Sequence, residues 1–106
     1  MTDRIVVLTT YPDADSARAT AQHLVKAHLA ACVNILPQMT SVYEWKGQAE
    51  SDPEHLLVIK TRQARYADLE AAIMERHPYE LPEIIATPIV NGLEGYLSWI
   101  DESTTS

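Results

Sequence analysis

The residues Ala31–Trp45, ACVNILPQMTSVYEW, place Val33, Ile35, Met39, Tyr43 and Trp45 on one parity and carry a proline, Pro37, inside the same stretch. A period of two is that of a strand. Proline has no N–H to give a ladder, so a strand of this length containing Pro37 belongs at a sheet edge or in a bend. At its far end Val42, Tyr43 and Trp45 leave both sides apolar or aromatic. An exposed edge of that kind invites pairing with another chain, and self-association is the simplest outcome.

The remaining segments fit around this strand. Arg4–Tyr11 (RIVVLTTY) is a nearly continuous, β-branched apolar run, expected as a strand covered on both faces. Pro12 and Asp13 mark a break, and Ala17, Ala21, Leu24, Val25 and Leu29 then recur at helical spacing, which predicts a helix over Asp13–Leu29. Gly47 supplies a turn, and His55–Arg62 (HLLVIKTR) reads as a strand. Asp52-Pro53 before it is either an irregularity in a long returning strand or a second loop. Tyr66, Leu69 and Ile73 predict a helix over Arg65–His77, stopped by Pro78. Ile84–Asn91 is a further strand, again with an interrupting proline, Pro88, and Leu93–Glu102 is a short amphipathic helix. Ser103–Ser106 is polar and expected to fray.

The order is β-α-β-β-α-β with an added C-terminal helix. Two right-handed βαβ-type halves give an α+β, ferredoxin-like sandwich, with both main helices on one face of a four-stranded antiparallel sheet. That topology leaves the second and fourth strands at the edges, which are the two strands that carry Pro37 and Pro88. At 106 residues, a single domain over 1–106 is expected.

Charge and cysteine content narrow the function. The net charge is −7 with no basic run, so a phosphate backbone would be repelled and nucleic-acid binding has no electrostatic support. Nowhere do 18 consecutive apolar residues occur, and the apolar stretch near the N-terminus is too short for a signal peptide, so no membrane partner is expected. One cysteine, Cys32, excludes an internal disulfide framework and multi-cysteine metal cages. A cytoplasmic, reducing setting is the expectation.

Few residues suggest chemistry. His23 and His28 lie five apart, about 140° around a helix, and cannot form an i, i+4 zinc pair. His55 opens a strand beside acidic residues. His77 ends a helix, where the helix dipole favours the imidazolium; a neutral ring there could ligate a borderline metal, or the residue simply caps the helix. Cys32 is either a weak thiolate ligand or a small buried hydrophobe. Glu50, Asp52 and Glu54 could attract cations, but a solvated charged hairpin explains them as well. No nucleophile elbow, His-Glu-x-x-His motif or phosphate-cradling glycine loop is present, and no catalytic residue is expected.

Five motifs agree as a set: Ala30–Ile35 (AACVNI), Ser41–Gly47 (SVYEWKG), Glu54 with Lys60-Thr61, His77–Glu80 (HPYE) with Pro82–Ile84, and Tyr96–Ile100 (YLSWI). In order over nearly the whole chain, they closely resemble the CutA divalent-cation tolerance family. The resemblance implies a ferredoxin-like subunit in a homotrimer, with the long hairpin reaching a neighbour. It further implies a cytoplasmic, non-enzymatic protein linked to tolerance of copper and other divalent metals. The copper site described for some members uses a cysteine near the end of the first strand and two histidines before the Pro-Tyr motif. Thr9 and Arg76 stand at two of those positions and only His77 is kept, so the implied binding of copper or another divalent metal is weak. The family pattern retains Tyr43, Trp45, Glu54, Lys60, His77, Tyr79, Glu80 and Trp99. These either converge in ligand-binding clefts between subunits or serve as interface anchors. Fold analogy with PII-type signalling trimers offers an alternative, a small-ligand sensor.

Overall fold

A computed structural model describes residues 3–105 of the chain. The elements are β1 (Arg4–Tyr11), α1 (Ala14–Lys26), β2 (Cys32–Trp45), β3 (Gln48–Arg62), a 3₁₀ turn (Gln63–Arg65), α2 (Tyr66–Arg76), β4 (Ile84–Pro88) and α3 (Glu94–Ser103). The four strands form one sheet in the order β2-β3-β1-β4, every neighbouring pair antiparallel. This is the ferredoxin-like α+β arrangement. The strands holding Pro37 and Pro88 lie at the two edges, where a missing N–H leaves no interior ladder unsatisfied.

Alternation along the central strands builds the core. Ile5, Val7 and Tyr11 of β1 and Leu57 and Ile59 of β3 are buried on the helical side, packed with Ala17, Ala21 and Leu24 of α1 and Leu69 and Ile73 of α2. The expectation that β1 is covered on both faces needs correction. Val6 and Leu8, with Leu56 and Val58 beside them on β3, are only partly buried, because neither main helix covers that side of the sheet. Leu36 and Ile85 extend the same face outward at 47% and 54% exposure.

Element ends differ from the sequence pattern for local reasons. Asp13 caps α1 by accepting the Ser16 N–H at 2.7 Å. The helix stops short of Leu29 because His28 adopts a left-handed φ of 61°, which sends the Leu29 and Ala30 N–H groups back to the Leu24 carbonyl at 2.9 and 3.2 Å. His77 leaves α2 in an extended conformation, as Pro78 demands of the residue before it. β3 is a long strand from Gln48, not a second loop, and Pro53 sits in it opposite Thr40. β1 pairs with β3 only from His55 onward, so Pro53 lies where β3 has β2 as its one neighbour.

The irregularity lies instead in β2. Leu36 faces Leu56 but Met39 faces Glu54, so β2 carries one extra residue at Pro37-Gln38, with Gln38 at φ 59°. Beyond this bulge the two strands continue as a free ribbon, closed by Lys46 and Gly47 at φ 52° and 78°, the geometry of a two-residue hairpin turn.

The C-terminal helix is tied down, and the fraying expected from Ser103 onward is overturned at Ser103, which is helical, and at Thr104, which is buried. Arg4 forms a two-pronged pair with Asp101 at 2.6 and 3.0 Å. Thr104 is fully buried; its hydroxyl donates to the Ile100 carbonyl and accepts from Arg62 Nε, each at 2.8 Å. Ser106, also expected to fray, lies outside the described residues.

Candidate functional site

Where the central sheet ends and the ribbon begins, three elements meet. Glu54, on β3 one residue past the end of β1, is 8% exposed. Ser41 on β2 donates its hydroxyl to Glu54 Oε1 at 2.6 Å, and Tyr79, in the connection from α2 to β4, donates to Oε2 at 2.7 Å. Both carboxylate oxygens of a nearly buried acid are thus satisfied by neutral hydroxyls. Burial, then donation to Glu54, pushes the Tyr79 phenol far above its ordinary range. Beside it, Tyr43 donates to Asp52, which raises the Tyr43 phenol as well.

His77 closes the same cluster. Its ring stacks on Tyr11 with centroids 4.2 Å apart and leans on Tyr79 at 4.9 Å. Nε2 donates to the Thr10 carbonyl at 2.7 Å, and Nδ1 accepts the Tyr79 backbone N–H at 3.1 Å. Those partners select one neutral tautomer. Burial dominates and lowers the pKa below the ordinary 6.5. Of the alternatives open for His77, the neutral ring is the one favoured: it sits between Tyr11 and Tyr79, where desolvation outweighs the opposing pull of the Thr10 carbonyl and Glu54. Both ring nitrogens are committed, so a metal at Nδ1 would have to displace the Tyr79 N–H.

A second group lies on the side of the sheet away from the main helices. Cys32 and Lys60 are cross-strand partners, and Lys60 Nζ donates to Asn34 Oδ1. The Cys32 thiol stands 4.0 Å from the same Asn34 oxygen, a weak contact. Tyr96 of α3 has its phenol raised by burial and by the neighbouring thiol. Cys32 is partly buried and free.

Within the chain the residues singled out from sequence thus fall in separate places. Tyr43, Glu54, His77 and Tyr79 converge at the root of the ribbon. Trp45 is at its tip, 61% exposed, with Lys46 Nζ 5.9 Å from the ring. Lys60 and Cys32 are on the open sheet face, and Trp99 pairs with Tyr96 on α3 at 5.4 Å. Glu80 is exposed in the α2–β4 connection. Thr9, at the position of the family's cysteine, is fully buried with its hydroxyl unpartnered. Among the described residues, no three His, Cys, Asp or Glu side chains come together as a metal-holding group. Sequence reasoning missed Ser41, Tyr11 and Asn34 as members of these clusters. Ser41 meets Glu54 only because the bulge shifts the register, and that shift left no periodic signal.

The chain as a whole is similar to known proteins. A family model described as CutA1 divalent ion tolerance protein matches residues 5–103. The chain is 46% identical over 100 residues to a protein named Protein CutA, chloroplastic, from Arabidopsis thaliana, covering 94% of this chain and 55% of that protein. It is 46% identical over 99 residues to the divalent-cation tolerance protein CutA of Thermus thermophilus, covering 93% and 96%. A solved structure of the Thermus thermophilus divalent cation tolerance protein superposes with a TM-score of 0.94 at 44% identity, over 96% of this chain and 99% of that one. The chain therefore spans about half the length of the plant relative and nearly all of the bacterial one.

Proposed function

The chain belongs to the CutA1 divalent ion tolerance protein family, and from that membership we propose a non-enzymatic, cytoplasmic homotrimer that supports tolerance of copper and other divalent metals. The observation that carries the assembly is the uncovered side of the sheet. Val6, Leu8, Leu56 and Val58 lie there partly buried, Leu36 and Ile85 are exposed, and the ribbon beyond it holds out Val42, Tyr43 and Trp45. Contiguous apolar surface of this kind marks an interface. Copies that meet on this face bring the ribbon root of one chain, with Glu54, Tyr43 and Tyr79, and the Lys60, Glu80 and Trp99 groups into inter-subunit clefts.

Metal binding is weak in this reading. Thr9 and Arg76 are poor ligands, the two nitrogens of His77 already hold Thr10 and Tyr79, and Cys32 has no second thiol beside it. Titration calorimetry with copper tests this. The expected result is weak, saturable binding that His77→Ala abolishes. Copper binding unchanged in His77→Ala, or no saturable heat at all, contradicts it.

A further inference from the structure

On the helical side of the sheet, α1 leaves the edge strand β2 incompletely covered, and a groove of about 470 Å³ runs between them. Its floor is apolar: Ala21 and Val25 from the helix, Val33 and Ile35 from the strand. Its rim carries Arg18, Gln22 and Lys26, spaced four residues apart so that all three fall on one stripe of α1. The stripe is about 12 Å long at 1.5 Å per residue. Every side chain on it can donate hydrogen bonds, and no Asp or Glu lines the groove.

The charge pattern says what would fit. In a chain of net charge −7 with eight Lys and Arg, most cations are engaged. Arg4 and Arg65 sit beside carboxylates, Arg62 holds Thr104, Lys60 holds Asn34 and Lys46 lies over Trp45. Among the described residues, Arg18, Lys26 and Arg76 have no carboxylate within ion-pair distance, and of these three Arg18 and Lys26 flank the groove. Two unpaired cations flanking an apolar floor favour a negatively charged end on an apolar body, and repel a cationic one. We infer that the α1–β2 groove binds an elongated amphiphilic carboxylate, its alkyl body along Val25, Val33 and Ile35 and its carboxylate on Arg18 or Lys26. This site is on the other side of the sheet from Lys60 and does not depend on the metal reading above.

The test uses the full-length protein in its native assembly, with decanoate and decyltrimethylammonium as probes below their micelle concentrations, followed by amide NMR shifts. Saturable shifts centred on residues 18–26 and 33–35 are expected, with decanoate binding about tenfold or more tighter than the cation of equal chain length. The double variant Arg18→Gln, Lys26→Gln should weaken decanoate by about tenfold with unchanged melting temperature, since both side chains are exposed. Equal affinity for the two probes, shifts centred on Val6, Leu8 and Val58 instead, or no saturation would each overturn the assignment.

Discussion

The Tyr79 hydroxyl donates to Glu54 Oε2 at 2.7 Å, joining the connection after α2 to the root of the β2–β3 ribbon. Because Glu54 is nearly buried, each donor it holds replaces water that it has lost. Tyr79→Phe removes one donor and leaves that oxygen without its partner, at a cost of about 1–3 kcal/mol. Urea unfolding of the two proteins measures the difference, and equal midpoints and slopes would show that the bond contributes nothing. Ser41→Ala should act in the same direction, and the pair should be non-additive because both donors serve one carboxylate.

The state of His77 makes stability depend on pH. Its pKa is lowered in the folded protein, so the unfolded chain binds the proton more readily. The contribution of the neutral ring is fully present above about pH 6.5 and is lost as pH falls below that value. This window lies above the one set by Asp13 and Asp101, whose pKa values are lowered from 3.8 by the Ser16 N–H and by Arg4. Melting temperature from pH 7.5 to 5 should fall for the native chain and fall less for His77→Gln. Parallel profiles for the two proteins would show that protonation of this ring is not the cause.

Thr104 secures α3 from a position that the polar C-terminal composition disguised. Thr104→Val keeps the shape, deletes the hydroxyl that bridges Ile100 and Arg62, and should cost on the order of 1–3 kcal/mol, because Arg62 Nε loses its acceptor. Hydrogen exchange should accelerate first in Glu94–Ser103. Unchanged protection of that helix would mean that the Arg4–Asp101 pair suffices to hold it.

How much of this was legible in the sequence depends on whether the signal was periodic. The parity of Val33 and Ile35, the stripe of Ala17, Ala21 and Leu24, and the prolines 37 and 88 fix the topology, because each reflects a repeating contact with the core or a missing ladder donor. Gln38 is different. Its left-handed φ inserts one residue into β2 and decides that Ser41 reaches Glu54, yet nothing repeats around it. Pro53 looked like a possible break and is a strand residue, since the free side of the ribbon asks nothing of its nitrogen. The alternatives for His77 stay open in the sequence because the helix terminus is visible there, whereas the stacked ring of Tyr11, from 66 residues earlier, is not.

The uncovered sheet face predicts specific variants. Ile85→Lys and Leu8→Lys place charges among Val6, Val58 and Leu56 without touching the helical core. Each should lower the association state while leaving the far-ultraviolet dichroism unchanged, whereas Ile73→Ala, in the core, should destabilise by about 2–5 kcal/mol. Lysine variants with the native mass would show that this face is not where copies meet.

The mass of the particle in solution tests the central claim most directly. Multi-angle light scattering across a dilution series should give three times the 11.9 kDa subunit mass, held down to the lowest concentration that can be read. A folded 11.9 kDa particle, stable on dilution with Tyr43 and Trp45 in water, would contradict it.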